Sequence, residues 1–310
     1  MVFKKLLGAL GIGAPSVDTV LQQPYVHPGQ NLAGEVRIAA GKQDIAVEHV
    51  ALSFAAHVET GYEDPVAVEL HRAEIAGAFQ LRGGEQKVIP FELPVPWDVP
   101  ITNVRGMVLD GIGLGVHTEL RIAEVASKSD LDPIAIEPLP AQAVVLDAIG
   151  QLGLQFHGTG LGHGRVPGVP RELPFVQEIE FFPPPQYAGR LHDVWLTFVA
   201  DADGLTVCLD AGKRSGIPTP GVEEDFGRFR VGHEEALTTD WTGRIQTWLE
   251  QVSQARAGLA DHEHGHLQQR RGSGIGGAVA GAALGAGAGI VGGMVIGEVL
   301  DEAFEDDEEF

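Results

Sequence analysis

The stretch Ile89–Ile101, IPFELPVPWDVPI, decides how the rest of the chain is read. Ile89, Phe91, Leu93, Val95, Trp97, Val99 and Ile101 take every odd position, while Pro90, Glu92, Pro94, Pro96, Asp98 and Pro100 take every even one. A period of two is the signature of a half-buried extended strand, whose successive side chains point to opposite faces. Proline has no backbone donor, so four of them exclude the middle of a ladder and place the segment at a sheet edge or corner. The stretch therefore predicts a β-sandwich, with Trp97 among the core residues.

The same period continues on both sides. Downstream, Ile112, Leu114, Val116, Leu120 and Ile122 alternate, leaving His117, Glu119 and Arg121 to face outward. Upstream, Leu32, Gly34, Val36 and Ile38 alternate with polar partners. In Gln43–Thr60 the apolar phase runs through Ile45 and Val47, then slips by one to Val50, Leu52, Phe54, Ala56 and Val58, which predicts a bulge. No useful helical period occurs between Ala14 and Ala126, so residues 1–130 read as one antiparallel sandwich.

Composition narrows the class of function. The 310 residues carry a net charge of −22, from 43 acidic against 21 basic side chains, which argues against nucleic acid as a main partner. Cys208 stands alone, which excludes an internal disulfide and fits a reducing, cytoplasmic setting. The start, MVFKKLLGALGIGAPS, has a basic end and a short apolar run, but Gly8, Gly11 and Gly13 interrupt it and no A-x-A site follows. A short N-terminal helix fits better than a signal peptide.

Ser127–Pro140, SKSDLDPIAIEPLP, is polar and proline-bearing and reads as a linker, centred on 131–140, before a second domain over 141–258. In that domain Val144–Ile149 fits a strand or a helix, Gly158–Pro170 reads as a glycine-rich loop, and Val176–Phe182, Leu191–Ala200 and Gly204–Ala211 read as strands. Asp201-Ala202-Asp203-Gly204 is a hairpin turn. A second, smaller sandwich is expected. Thr238–Gln254 then changes period: Trp241, Ile245, Trp248, Leu249 and Val252 share one face of an amphipathic helix, with Thr238, Thr239 and Asp240 as N-cap oxygens. That face either packs on its own domain or anchors a second subunit.

The last segment, 259–310, is of another kind. His262, His264 and His266 recur at spacing two in what reads as a polar linker, and imidazoles on one side of an extended segment suit zinc, nickel or copper. From 272 to 297 no charge occurs, and Gly277, Gly281, Gly285, Gly289, Gly293 and Gly297 recur every fourth residue. On a helix this glycine zipper forms one stripe where a second helix approaches closely. Membrane association of 272–297, self-association into a homo-oligomer and a low-complexity tail all remain open. The end, EVLDEAFEDDEEF, is a solvated acidic tail.

The ordered set G-E-V-x-I, then V-I-P-F-E-L-P-V-P-W-D-V-P-I-T, then G-L-G-V-H-T-E-L-R-I-A resembles the N-terminal domain of arrestin-like proteins. F-K-K-L-L-G-A-L-G-I-G-A-P-S-V-D-T-V-L, together with E-I-E-F-F-P and Y-A-G-R-L-H-D-V-W-L-T-F-V, resembles the bacterial sporulation-control protein family more narrowly, over about Met1 to Gln254. The resemblance implies an all-β chain of two arrestin-like sandwiches and a regulatory, non-catalytic role, and it transfers no active site. The residues agree in part: there is no G-x-S-x-G or G-x-x-x-x-G-K-[ST], and Pro167 and Pro170 remove the helix that a phosphate cradle at Gly158–Gly164 would need. No cofactor is expected. The functional expectation is a cytoplasmic scaffold binding protein partners, at the inner face of the membrane or in an oligomer through its tail. The alternative is a metal-responsive binding protein using the three histidines.

Overall fold

The computed structural model describes residues 13–58, 66–163, 166, 168–211 and 227–269. The N-terminal helix expected before residue 13, the glycine stripe Gly277–Gly297 and the acidic end lie outside these residues.

The first half is built from β1 (Ser16–Leu21), β2 (Tyr25–Val26), β3 (Asn31–Ala39), β4 (Ile45–Val58), β5 (Val66–Ala76), β6 (Phe79–Leu81), β7 (Gln86–Pro94), β8 (Asn103–Val104), β9 (Met107–Val108), β10 (Ile112–Ile122), β11 (Lys128–Pro133) and β12 (Ala135–Ile136). One sheet has the order β1-β3-β7; the facing sheet has the order β11-β10-β4-β5, with β6 also on β4. Side chains of alternate parity from both sheets meet between them, among them Val36 and Ile38, Leu52 and Phe54, Phe91 and Leu93, and Leu114 and Val116. This is sheet-on-sheet packing, each strand turning its apolar positions inward. Ile122 pairs with Val47 whereas Arg121 pairs with His49, so the bulge falls at Glu48, where the apolar phase slips.

The second half contains α1 (Pro140–Gln151), β13 (Gln155–His163), β14 (Phe175–Phe182), β15 (Val194–Asp201), β16 (Gly204–Ala211), β17 (Arg228–Gly232), α2 (His233–Thr238) and α3 (Trp241–Gln269). Its five strands form one antiparallel sheet in the order β13-β14-β15-β16-β17. Ile179, Phe181, Val194, Leu196, Phe198, Leu205, Val207 and Leu209 form its inner face. Against them lie Ala141, Val145, Ala148 and Ile149 of α1 and Trp241, Ile245, Trp248, Leu249 and Val252 of α3. Among the described residues the expected second sandwich is therefore replaced by a sheet covered by helices. The apolar positions of α1 fall at i, i+4, i+7 and i+8, which settles Val144–Ile149 as helix. Asp240 Oδ1 accepts the Gly243 N–H at 2.9 Å and so caps α3, while Thr238 and Thr239 donate back to Glu235 O.

Two segments read as loops are strands. Lys128–Pro133, read as linker, pairs along β10, and Ala135–Ile136 pairs in parallel with β2. β11 is an edge strand, and charged residues on an edge discourage pairing with other chains, so its polar composition reads as linker. Gly158–His163 belongs to β13, also an edge, where glycine costs little packing.

The two cores exchange residues. Leu173 and Phe175, from the second half, pack in the first core, and Ile101 and Leu109 pack in the second. Ile89, Phe91, Leu93, Val95 and Val99 stay with the first core, so the stretch Ile89–Ile101 begins in one core and ends in the other.

Candidate interaction surface

The crossing is locked by polar contacts. The Ile101 N–H donates to Gln177 Oε1 at 2.8 Å, and Gln177 Nε2 donates to Ile101 O at 2.7 Å and to Thr159 Oγ1 at 3.1 Å. Asp98 Oδ2 accepts the N–H groups of Glu172 and Leu173, both at 3.0 Å. Trp97 is only half-buried, contrary to its expected core position. Its ring stacks on His233 with centroids 5.5 Å apart and lies against Gly29, whose φ of +73° suits only glycine there. Thr159 donates its N–H to Asp110 O, and a Cβ on Gly111 would come within 2.1 Å of Thr159 O. Along Ile89–Ile101 the halves are therefore held as one platform.

On that platform, the outer face of the β10-β4-β5 part carries an unusual polar arrangement. Ser53 faces His117 of β10 on one side and Arg72 of β5 on the other. Its β4 neighbours on the same face are Ala51 and Ala55, so the middle strand is a row of small side chains between longer ones. Arg72 reaches across to Glu119 Oε2 at 2.5 Å and lies 3.6 Å from Glu69, so one guanidinium serves two carboxylates. Despite burial, the bond to Arg72 holds the Glu119 carboxyl below the usual carboxylate range. Beneath this bridge Ser53 is 1% exposed and His117 7% exposed, and neither Ser53 Oγ nor His117 Nδ1 has a hydrogen-bond partner among the described residues. Burial pushes the His117 imidazole down, so it is neutral at neutral pH.

A second acidic group closes the seam between the two sheets. Asp130 Oδ2 accepts the Thr19 N–H at 2.7 Å, and the Thr19 and Thr118 hydroxyls meet at 2.6 Å. Burial first, then the charges of Asp130 and Asp18, push the Asp132 carboxyl from 3.8 up to about 7. The folded chain thus keeps a proton that the unfolded chain releases near 3.8, so stability falls as pH rises between about 4 and 7. Asp132→Asn, which needs no proton to donate toward Asp130, is expected to raise Tm above the unaltered chain at pH 8, with the gap narrowing at pH 5. A gap independent of pH would contradict this.

The structure places the other candidate residues as follows. Trp241, Ile245, Trp248 and Leu249 are buried on their own sheet, so the helix face packs internally. The backbone of α3 continues through His262, His264 and His266, replacing the expected extended linker; on a helix His262 and His266, four apart in an H-E-x-x-H pattern, share a face, and His264 does not. Their side chains lie outside the described residues, and among the described residues no three His, Cys, Asp or Glu side chains are grouped to hold a metal ion. Among the described residues no helix is long and apolar enough to cross a membrane. Sequence reading places His117 and Glu119 on the outer face but misses Ser53, Arg72 and Glu69; the signal is the small Ala51, Ser53 and Ala55 alternating with the large Leu52 and Phe54.

Comparison with known proteins follows the same lines. The sporulation-control protein spo0M of Bacillus subtilis (strain 168) is 32% identical over 217 residues, covering 69% of this chain and 81% of that protein. The crystal structure of Spo0M, sporulation control protein, from Bacillus subtilis matches with a TM-score of 0.65 and 29% identity, over 78% of this chain and 100% of that one. A superoxide reductase (neelaredoxin) from Ignicoccus hospitalis matches at a TM-score of 0.22 and 11% identity over 43% of this chain and 88% of its own, too low to carry an argument. The family model described as SpoOM protein matches residues 3–215, more than half of the sequence, and with the aligned relative and the shared fold it shows that the chain belongs to the Spo0M sporulation-control family.

Proposed function

We propose that this Spo0M-family chain is a non-enzymatic regulatory scaffold that binds protein partners on the sheet faces of its two-part platform. The arrestin-like reading of the first sandwich belongs to this proposal, as does a cytoplasmic location. The observation that carries it is the splice at Ile101–Gln177, where one buried amide ties the two β-rich halves together. A rigid body with broad sheet faces suits recognition of other proteins, because little ordering entropy is lost on binding. The segment 272–297 supplies the recruiting element, by membrane association or by self-assembly through Gly277, Gly281, Gly285, Gly289, Gly293 and Gly297.

Deleting Gly272–Phe310 tests the tail. Cell fractionation and sizing of the purified protein are expected to show release from the membrane fraction or loss of an oligomer. If location and size both stay the same, the tail has no recruiting role.

A further inference from the structure

We propose that the outer face of the five-stranded sheet, centred on Ser53 and His117 and bounded by Glu69, Arg72 and Glu119, docks a basic segment of a protein partner. An arginine or lysine side chain of that segment enters where the Arg72 guanidinium now lies. The proposal deepens the protein-binding reading above and rests on it.

Three observations carry it. First, the face already holds one guanidinium: Arg72 lies between Glu119 and Glu69 and shows which chemistry fits there. Second, carboxylates outnumber permanent cations, with the His49 imidazole 3.9 Å from Glu119 on the same face. Two carboxylates meet one guanidinium, and beneath them lie the Ser53 hydroxyl and, in the Nε2–H tautomer, the Nδ1 acceptor of a neutral imidazole. Buried polar atoms of folded proteins are nearly always hydrogen-bonded, so two neighbouring ones without a partner among the described residues point to a donor from elsewhere. Third, the chain carries a net charge of −22, a field that draws a cationic segment in and disfavours an acidic one. The Arg72 side chain is 38% exposed, so it can swing into water when a partner's cation takes its place.

Exchange of one charge-paired guanidinium for another sets the expected affinities. Removing Arg72 clears the place and leaves both carboxylates, whereas removing the Glu119 charge leaves Arg72 unbalanced. The test measures binding of a labelled nona-arginine peptide to the full chain by fluorescence anisotropy at moderate salt. Arg72→Ala is expected to tighten binding at least tenfold and Glu119→Gln to weaken it at least tenfold. Charge-matched controls elsewhere, Arg37→Ala in its exposed pair with Glu35 and Glu92→Gln on exposed β7, are expected to change it less than twofold. Arg72→Gln keeps the side-chain stem over the sheet and replaces the alanine variant if that one fails to fold.

If each variant and its control shift binding equally, only the overall charge matters and the proposed face is wrong. The face is equally wrong if neither Arg72→Ala nor Glu119→Gln changes binding. A crosslinking pull-down with Glu119→Gln separates this from the broader reading. Loss of partners captured by the unaltered chain supports the face, and unchanged capture overturns the face while the scaffold reading stands.

Discussion

Gln177→Ala is expected to destabilise the chain by about 3 kcal/mol, well beyond the cost of trimming a polar side chain at a surface. Gln177 is buried and spends both ends of its amide on the backbone of Ile101. Alanine leaves a buried N–H and a buried C=O without partners, each costing about 1–3 kcal/mol, and orphans the Thr159 hydroxyl in one direction. The loss falls on a junction rather than in one core, so the two halves should begin to unfold at different denaturant concentrations. Urea titrations followed by tryptophan fluorescence and by far-UV circular dichroism check this. Coincident curves with a loss below about 0.5 kcal/mol would show that the amide is incidental.

Trp248→Ala is expected to cost about 3–5 kcal/mol, the range for removing a large aromatic side chain from a core. Trp248 is 3% exposed and packs with Ile245, Leu249 and Val252 on the sheet of the second half. Its indole also lies against Gly227, where an added Cβ would meet Nε1 at 3.0 Å, so a cavity there cannot be filled by small local shifts. Trp248→Phe, which keeps most of the volume, should lose far less. A loss near zero for the alanine variant, read from the urea midpoint, would mean that α3 is not part of the second core.

The first half is largely legible because its signal is local. Alternation in Ile89–Ile101 and Ile112–Ile122 marks inward residues directly, and the phase slip near Val47 marks the bulge at Glu48. The second half is less legible for two reasons. The glycines of the edge strand β13 imitate a loop, and the partner of a sheet face, helix or sheet, depends on long-range packing that no local period encodes. Trp97 shows the same limit from the other side. Its parity is that of a core residue, yet the chain turns after Val95 toward the second half, and the ring ends against His233. The polar face of Ser53, His117, Arg72, Glu69 and Glu119 assembles from three strands, β4, β5 and β10. The bulge between Phe54 and Ala55, where Leu70 drops out of the pairing, lets Glu69 share the face with Arg72. Only the register reveals that arrangement, whereas the helix face Trp241–Val252 is plain from spacing alone.

The central claim is that Ile89–Ile101 splices two β-rich halves into one cooperative body. Scanning calorimetry of the chain tests it most directly, through the ratio of calorimetric to van't Hoff enthalpy. The splice predicts a single transition with a ratio near one in the unaltered chain, and two resolved transitions in Gln177→Ala. Two independent transitions in the unaltered chain would contradict it.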